Sequence, residues 1–152
     1  MSSREDSMSI FLKSKLFYAT GNRHDGECYS AVIDERCGSK ALTYLRVSNK
    51  RESLIYRASK QSEETLLASN TYVLSTTFSG EYLFWVERCN NHWQIKAVSA
   101  DSPDPGDIFE AYKHWGRPNS LSSSQPDNIS YLVWEERKGK RTRIYISKIA
   151  KR

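Results

Sequence analysis

The chain is poor in the residues from which most catalytic loops are made. It has seven glycines in 152 residues, and no G-x-S-x-G, G-x-x-x-x-G-K-S/T or G-x-G-x-x-G segment occurs. The exposed nucleophile of a strand-to-helix elbow and the glycine-rich phosphate cradle are therefore not expected, and neither is nucleotide-dependent chemistry. Three cysteines (Cys28, Cys37 and Cys89) are an odd number without a C-x-x-C pair. That points to reduced thiols and a cytoplasmic setting instead of a disulfide framework, although Cys28 and Cys37 are spaced to staple one hairpin. His24, His92 and His114 have no histidine or cysteine partners at a zinc-binding spacing, so no metal and no cofactor is expected. No apolar run approaches the roughly 20 residues of a membrane helix. The opening MSSREDSMSIF has charges with no apolar segment behind them, which does not describe a secretory leader. Residues 1–10 are expected to form a flexible polar tail, and residues 11–152 a single β-rich domain.

What is present is a repeated hairpin grammar. Tyr44–Lys60, Tyr82–Ala100 and Tyr131–Lys148 each open with Tyr-Leu and run through β-branched and aromatic residues to a polar turn. Each returns through an isoleucine flanked by polar side chains, the pattern of a half-buried antiparallel pair. In order, strands are expected at Lys15–Thr20, Cys28–Asp34, Ala41–Ser48, Ser53–Ala58, Thr71–Phe78, Glu81–Arg88, His92–Val98, Ile129–Glu136 and Arg141–Ile149. Turns fall at Asp25-Gly26, Arg36–Ser39, Asn49-Lys50, Ser79-Gly80, Cys89–Asn91 and Lys138-Gly139. SEETLLA (Ser62–Ala68), with its serine and two early glutamates, predicts a helical turn. Ile108, Phe109, Tyr112 and Trp115 recur at helical spacing between Asp107 and Gly116, which predicts a helix over 107–115. Asn119–Asp127 reads as a polar loop.

These elements describe a mainly β chain with one or two short helices: an antiparallel meander of about nine strands, closed as a barrel or packed as a two-sheet sandwich. A trefoil is disfavoured, because the hairpin starts lie 38 and then 49 residues apart.

One stretch has an enzymatic look. Pro126-Asp127, a strand and then Glu136-Arg137-Lys138 resembles the PD-(D/E)xK nuclease signature. The resemblance implies a divalent metal held by Asp127 and Glu136, with Lys138 beside the attacked phosphate. A helix on a mixed sheet would be expected with it, whereas this chain is nearly all hairpins.

The charge distribution is more telling. After Glu136 there are eight basic residues and no acidic one, so residues 137–152 carry +8. The remaining fifteen basic residues stand against eighteen carboxylates, which leaves residues 1–136 at −3. Such a cluster attracts anions over about one Debye length, ~8 Å at physiological salt. Alternation in the last strand sets Arg143, Tyr145 and Ser147 on one face and Ile144 and Ile146 on the other. The isoleucines are expected to face the core, and Arg143 and Tyr145 to face solvent. The chain is thus expected to be a non-enzymatic module binding RNA or single-stranded DNA. Arg137, Lys138, Lys140, Arg141, Arg143 and Lys148 would contact the backbone, with Tyr145 under a base. The segment K-G-K-R-x-R would also suit nuclear import. Competing functions are a protein adaptor or inhibitor acting through Phe109 and Trp115, a small-ligand barrel lined by residues such as Trp85 and Trp134, and the nuclease.

Overall fold

The computed structural model describes residues 28–34, 41–48, 51–58, 62–101 and 103–149. The expected tail, the strand Lys15–Thr20, His24, Cys37 and the turns at Asp25-Gly26, Arg36–Ser39 and Asn49-Lys50 lie outside them. Among the described residues eleven antiparallel strands form three sheets, which do not close into a barrel. The chain contacts divide into two compact units, at Thr71 and Tyr72.

The first unit is a meander of β1 (Cys28–Asp34), β2 (Ala41–Ser48), β3 (Arg51–Arg57) and β4 (Thr65–Thr71), paired in that order. Its central strands bury consecutive residues, Thr43, Tyr44 and Leu45 on β2 and Leu54, Ile55 and Tyr56 on β3, so both faces are covered. The expected helical turn at Ser62–Ala68 is instead the start of β4. Glu64 does not serve a helix terminus: its carboxylate accepts from Arg46 Nη1 and Nη2 and from the Tyr44 hydroxyl. Those two partners hold its pKa below the usual carboxylate range. Anchored there, the chain extends along β3, with Leu67 buried and Leu66 exposed as a strand requires.

The second unit contains two sheets. One is β5 (Val73–Ser79), β6 (Tyr82–Cys89), β7 (His92–Ser99) and the short β8 (Phe109–Glu110), in that order. The other has the order β11 (Arg141–Lys148), β10 (Tyr131–Lys138), β9 (Arg117–Ser124). They enclose a core of Phe84, Val86, Ile95 and Ala97 from the first sheet and Leu121, Leu132 and Trp134 from the second, with Ile149 just after β11. Three hydroxyls spaced two apart on β5 link the sheets. Ser75 Oγ accepts from Leu121 N–H at 2.9 Å, Thr77 meets Ser123 at 3.4 Å, and Ser79 donates to the Tyr131 carbonyl at 3.0 Å. Aromatic rings form a continuous ladder through the unit, Phe109–Tyr82–Phe84–Tyr112–Trp134–Tyr145, with centroids 4.7–6.5 Å apart.

Two further expectations fail here for physical reasons. Residues 107–115 are not a helix. A 3-10 turn at Pro105–Asp107 leads into β8, and Ala111 N–H donates to the Ile95 carbonyl at 2.8 Å. Pairing to β7 takes the backbone groups that a helix would have used, and Tyr112 joins the aromatic ladder. The polar stretch Asn119–Asp127 is largely β9. As the outer strand of its sheet it tolerates Pro118, and its Ser123 meets the Thr77 hydroxyl of β5.

The turns follow their residues closely. Asn90 and Asn91 both have positive φ (47° and 67°), the type I′ geometry between Cys89 and His92. Gly80 and Gly139 each occupy the first position of a two-residue loop at φ near +60°, the type II′ geometry. The two glycines differ in surroundings. A Cβ on Gly80 would lie 2.9 Å from Ile149 Cγ2, whereas one on Gly139 meets nothing within 4 Å. Gly139→Ala should therefore cost only the backbone penalty of about 1–2 kcal/mol. Gly80→Ala should add overpacking of about 1–3 kcal/mol. Urea unfolding of the two variants, compared at equal m-value, measures the difference.

Candidate functional site

The hairpin β10–β11 decides which basic side chains work together. Its register pairs Lys138 with Arg141, Glu136 with Arg143, Trp134 with Tyr145 and Leu132 with Ser147, so these share the core-side face. Arg137, paired with Thr142, and Lys148, paired with Tyr131, are on the opposite face, and Lys140 is in the turn. Arg137 is also engaged by Glu135 at 3.3 Å. The seven residues expected to bind are thus split: Lys138, Arg141, Arg143 and Tyr145 stay together, Arg137 and Lys148 are on the other face, and Lys140 is at the turn.

The expected facing of β11 is reversed. Ile144 and Ile146 are 66% and 69% exposed, while Tyr145 is half-buried with its ring stacked on Trp134 at 5.6 Å. Alternation states that the two sets face apart but not which set is inward. The choice falls to the ladder. Trp134 needs the flat ring of Tyr145, and Tyr112 donates to Ser147 Oγ at 3.0 Å. Tyr145 therefore presents at most one ring face and is a poor platform for a base.

Beneath the basic face lies Glu136, fully buried. Its Oε1 accepts from Trp115 N–H at 2.7 Å and Gly116 N–H at 2.9 Å, and its Oε2 accepts from Trp134 Nε1 at 2.8 Å. His114 Nδ1 lies 3.5 Å from the same Oε2, and His114 Nε2 accepts from Ile95 N–H at 3.1 Å. Since Nε2 accepts, Nδ1 is the nitrogen that carries hydrogen towards Glu136. Burial pushes the Glu136 pKa up. The hydrogen bonds from Gly116, Trp134, Trp115 and His114 outweigh it and hold the carboxyl below the usual 4.5. The carboxylate thereby fixes segment 114–116 against β10.

That segment carries Trp115 into a groove of about 500 Å3, lined also by Asn91, His92, Trp93, Glu110 and Arg117. The Arg143 guanidinium sits 4.0 Å from the centre of the Trp115 ring and the Lys138 ammonium 5.8 Å away. Across the groove lining, the Arg117 guanidinium sits 4.7 Å from the centre of the Trp93 ring. Two indoles, each carrying a cation on its face, therefore border one opening. Trp93 and Arg117 were not singled out from the sequence. They lie 24 residues apart and meet only because β7 and β9 pack together, so no local signal reveals them.

The nuclease geometry is not assembled. Glu136 faces the interior with both oxygens engaged, Lys138 is over Trp115, and Asp127 is exposed in the turn Pro126–Asn128. Among the described residues no group of three or more histidine, cysteine or acidic side chains could hold a metal ion. No helix among them is long and apolar enough to cross a membrane. Cys89 is not in a disulfide. Burial and the neighbouring Glu87 carboxylate, 3.1 Å away, push the Cys89 thiol pKa up.

The hairpin β6–β7 repeats the central arrangement. Trp85 Nε1 donates to Glu87 at 3.0 Å, as Trp134 does to Glu136, because residues two apart share a strand face. Lys96 Nζ, 3.0 Å from Glu87, replaces the backbone donors there. The shared Tyr-Leu-x-Trp-x-Glu-Arg of Tyr82–Arg88 and Tyr131–Arg137 is the sequence signal for both. No family model, no curated protein and no solved structure matches this chain.

Because Glu136 accepts at both oxygens, Glu136→Gln must turn an amide N–H onto one of its donors. The variant should lose about 1–3 kcal/mol. A carboxyl whose pKa is lowered on folding stabilises the fold fully above the unfolded pKa, and that contribution is lost as pH falls through the folded value. Wild-type stability should therefore decline below about pH 4.5, and Glu136→Gln should flatten that part of the profile in urea titrations at successive pH values.

Proposed function

We propose that the protein binds single-stranded nucleic acid, RNA or single-stranded DNA, at the groove bordered by Trp93 and Trp115, and does not cleave it. The observation that carries this is that Trp115, in contact with Arg143 and Lys138, and Trp93, in contact with Arg117, line one groove. A guanidinium lying on an indole keeps its charge, and its edge N–H groups remain able to meet phosphate. An incoming base can take the cation's place on the ring while the cation moves to the backbone, which is how sequence-tolerant single-strand sites operate. Arg141, on the same face, and Lys140, at the turn, extend the positive track. Arg137 and Lys148 contribute to long-range attraction only, and stacking passes from Tyr145 to the two tryptophans. The function needs no cofactor, and a reducing cytoplasmic or nuclear setting suits an odd number of cysteines without a C-x-x-C pair.

The experiment is a salt titration of binding to an oligouridylate and an oligothymidylate. Each phosphate contact on a single strand contributes about 0.7 to the slope of log affinity against log salt. Contacts from Arg117, Lys138, Arg141 and Arg143 should give a slope near −3, by the same counterion relation. Changing all four to alanine should remove most of it. Trp93→Ala or Trp115→Ala should instead weaken binding by about 1–3 kcal/mol at every salt concentration. Unchanged affinity in the fourfold variant would refute the assignment.

A further inference from the structure

The outer face of β11 is unlike a protected sheet edge. β11 is the terminal strand of its sheet, and no described strand pairs with its far side. Its phase against β10 follows from the two-residue turn, in which the flanking pair Lys138–Arg141 is hydrogen-bonded. Alternate pairs then bond as well, down to Ile149 N–H donating to the Ser130 carbonyl at 2.8 Å. It follows that Thr142, Ile144, Ile146 and Lys148 aim their N–H and C=O groups at the open edge. All four are exposed, and the two isoleucines are the most exposed large apolar side chains among the described residues. Natural edges are blunted by charge, proline or a bulge at such positions. Here the strand is regular from Lys138–Arg141 to Tyr131–Lys148, and of the four outward positions only Lys148 is charged, the others being the β-branched Thr142, Ile144 and Ile146.

We propose that β11 is a docking edge for an extended acidic and apolar segment of a partner protein, which adds to the sheet as an antiparallel strand. Main-chain hydrogen bonds to residues 142, 144, 146 and 148 supply affinity, and alternate side chains supply specificity. Charge complementarity selects the occupant. β11 contains Arg141, Arg143 and Lys148 and no acid, with Lys140 just before it. A second copy, paired antiparallel with Ile144 opposite Ile146, would bring the three cations of each strand together with no carboxylate to offset them. An acidic strand gains at each of those positions. Directly opposed residues share a face, so the partner has apolar side chains opposite Ile146 and Ile144 and carboxylates opposite Lys148, Arg143 and Arg141. Its N-to-C pattern is Glu-x-Val-x-Val-Glu-x-Glu, where valine stands for any β-branched residue and glutamate for either acid.

The test uses the full chain and the fluorescein-labelled peptide Glu-Thr-Val-Thr-Val-Glu-Thr-Glu, followed by anisotropy. Saturable binding is expected, with an affinity that falls as salt rises. The same peptide with its three glutamates replaced by lysine should not bind. Ile146→Pro removes an N–H aimed at the open edge without touching the ladder to β10. It should weaken the peptide by at least about tenfold, the loss of an edge hydrogen bond plus apolar contact. Ile144→Asp should do the same without altering the backbone. Neither variant should change oligouridylate binding, whereas Trp93→Ala should weaken the oligonucleotide and leave the peptide unaffected. Loss of one activity is thereby distinguished from loss of the other. The proposal is overturned if the lysine peptide binds as well, or if Ile146→Pro and Ile144→Asp bind the glutamate peptide as wild type does. It is equally overturned if sedimentation shows a wild-type dimer that Ile146→Pro dissolves, which would make a second copy the occupant.

Discussion

Glu136 is a charge with no access to water, and much of the second unit is arranged around that fact. An ionised carboxylate in such a place is tolerated only if its lone pairs are filled. Two backbone N–H groups, one indole and one imidazole supply the partners. The donors cannot be supplied locally, since Trp115 and Gly116 are some twenty residues away in sequence. Satisfying the charge therefore draws the irregular segment after β8 onto β10 and holds it there. Trp115 acquires its position from this, and Arg143 and Lys138, on the same side of the hairpin, reach its ring. A buried acid with both oxygens engaged is thus what assembles a basic, aromatic surface.

Legibility in the sequence tracked how local each determinant is. The hairpins β6–β7 and β10–β11 were readable because their turn residues demand particular backbone angles and their strands alternate. Residues 107–115 were misread because the helical spacing of Ile108, Phe109, Tyr112 and Trp115 is real, but hydrogen bonds to β7, some fifteen residues back, override it. β9 was invisible for a related reason. Its serines have little strand preference alone, and the strand forms where β10 provides a ladder and β5 provides hydroxyl partners for Ser123 and the Leu121 N–H. β4 likewise required Glu64 to find Arg46 across the sheet.

The site was legible in its charge and not in its geometry. The basic cluster after Glu136 is visible to simple counting, and Lys138, Arg141 and Arg143 do share a face. The side of the sheet on which that face lies was not visible. Alternation in Arg143-Ile144-Tyr145-Ile146 gives two sets of side chains, and hydrophobicity alone favours burying the isoleucines. Aromatic packing on Trp134 decided otherwise, and it left apolar side chains in solvent beside a strand edge. Where a protein accepts that exposure, the outward set is more informative than the inward one.

The ladder of rings from Phe109 to Tyr145 has a consequence for how the molecule can be observed. Trp134 is the only indole in it, lying 4.7 Å from Tyr112 and 5.6 Å from Tyr145 at fixed inclinations. Light absorbed by those phenols passes to that indole, and rings held in an asymmetric array give a strong near-ultraviolet dichroic signal. Far-ultraviolet dichroism would register the strands whether or not the side chains had locked. The near-ultraviolet band would vanish as soon as specific packing loosened, even if the sheets persisted. The ladder is thus a built-in optical gauge of whether the two sheets of the second unit have closed on each other.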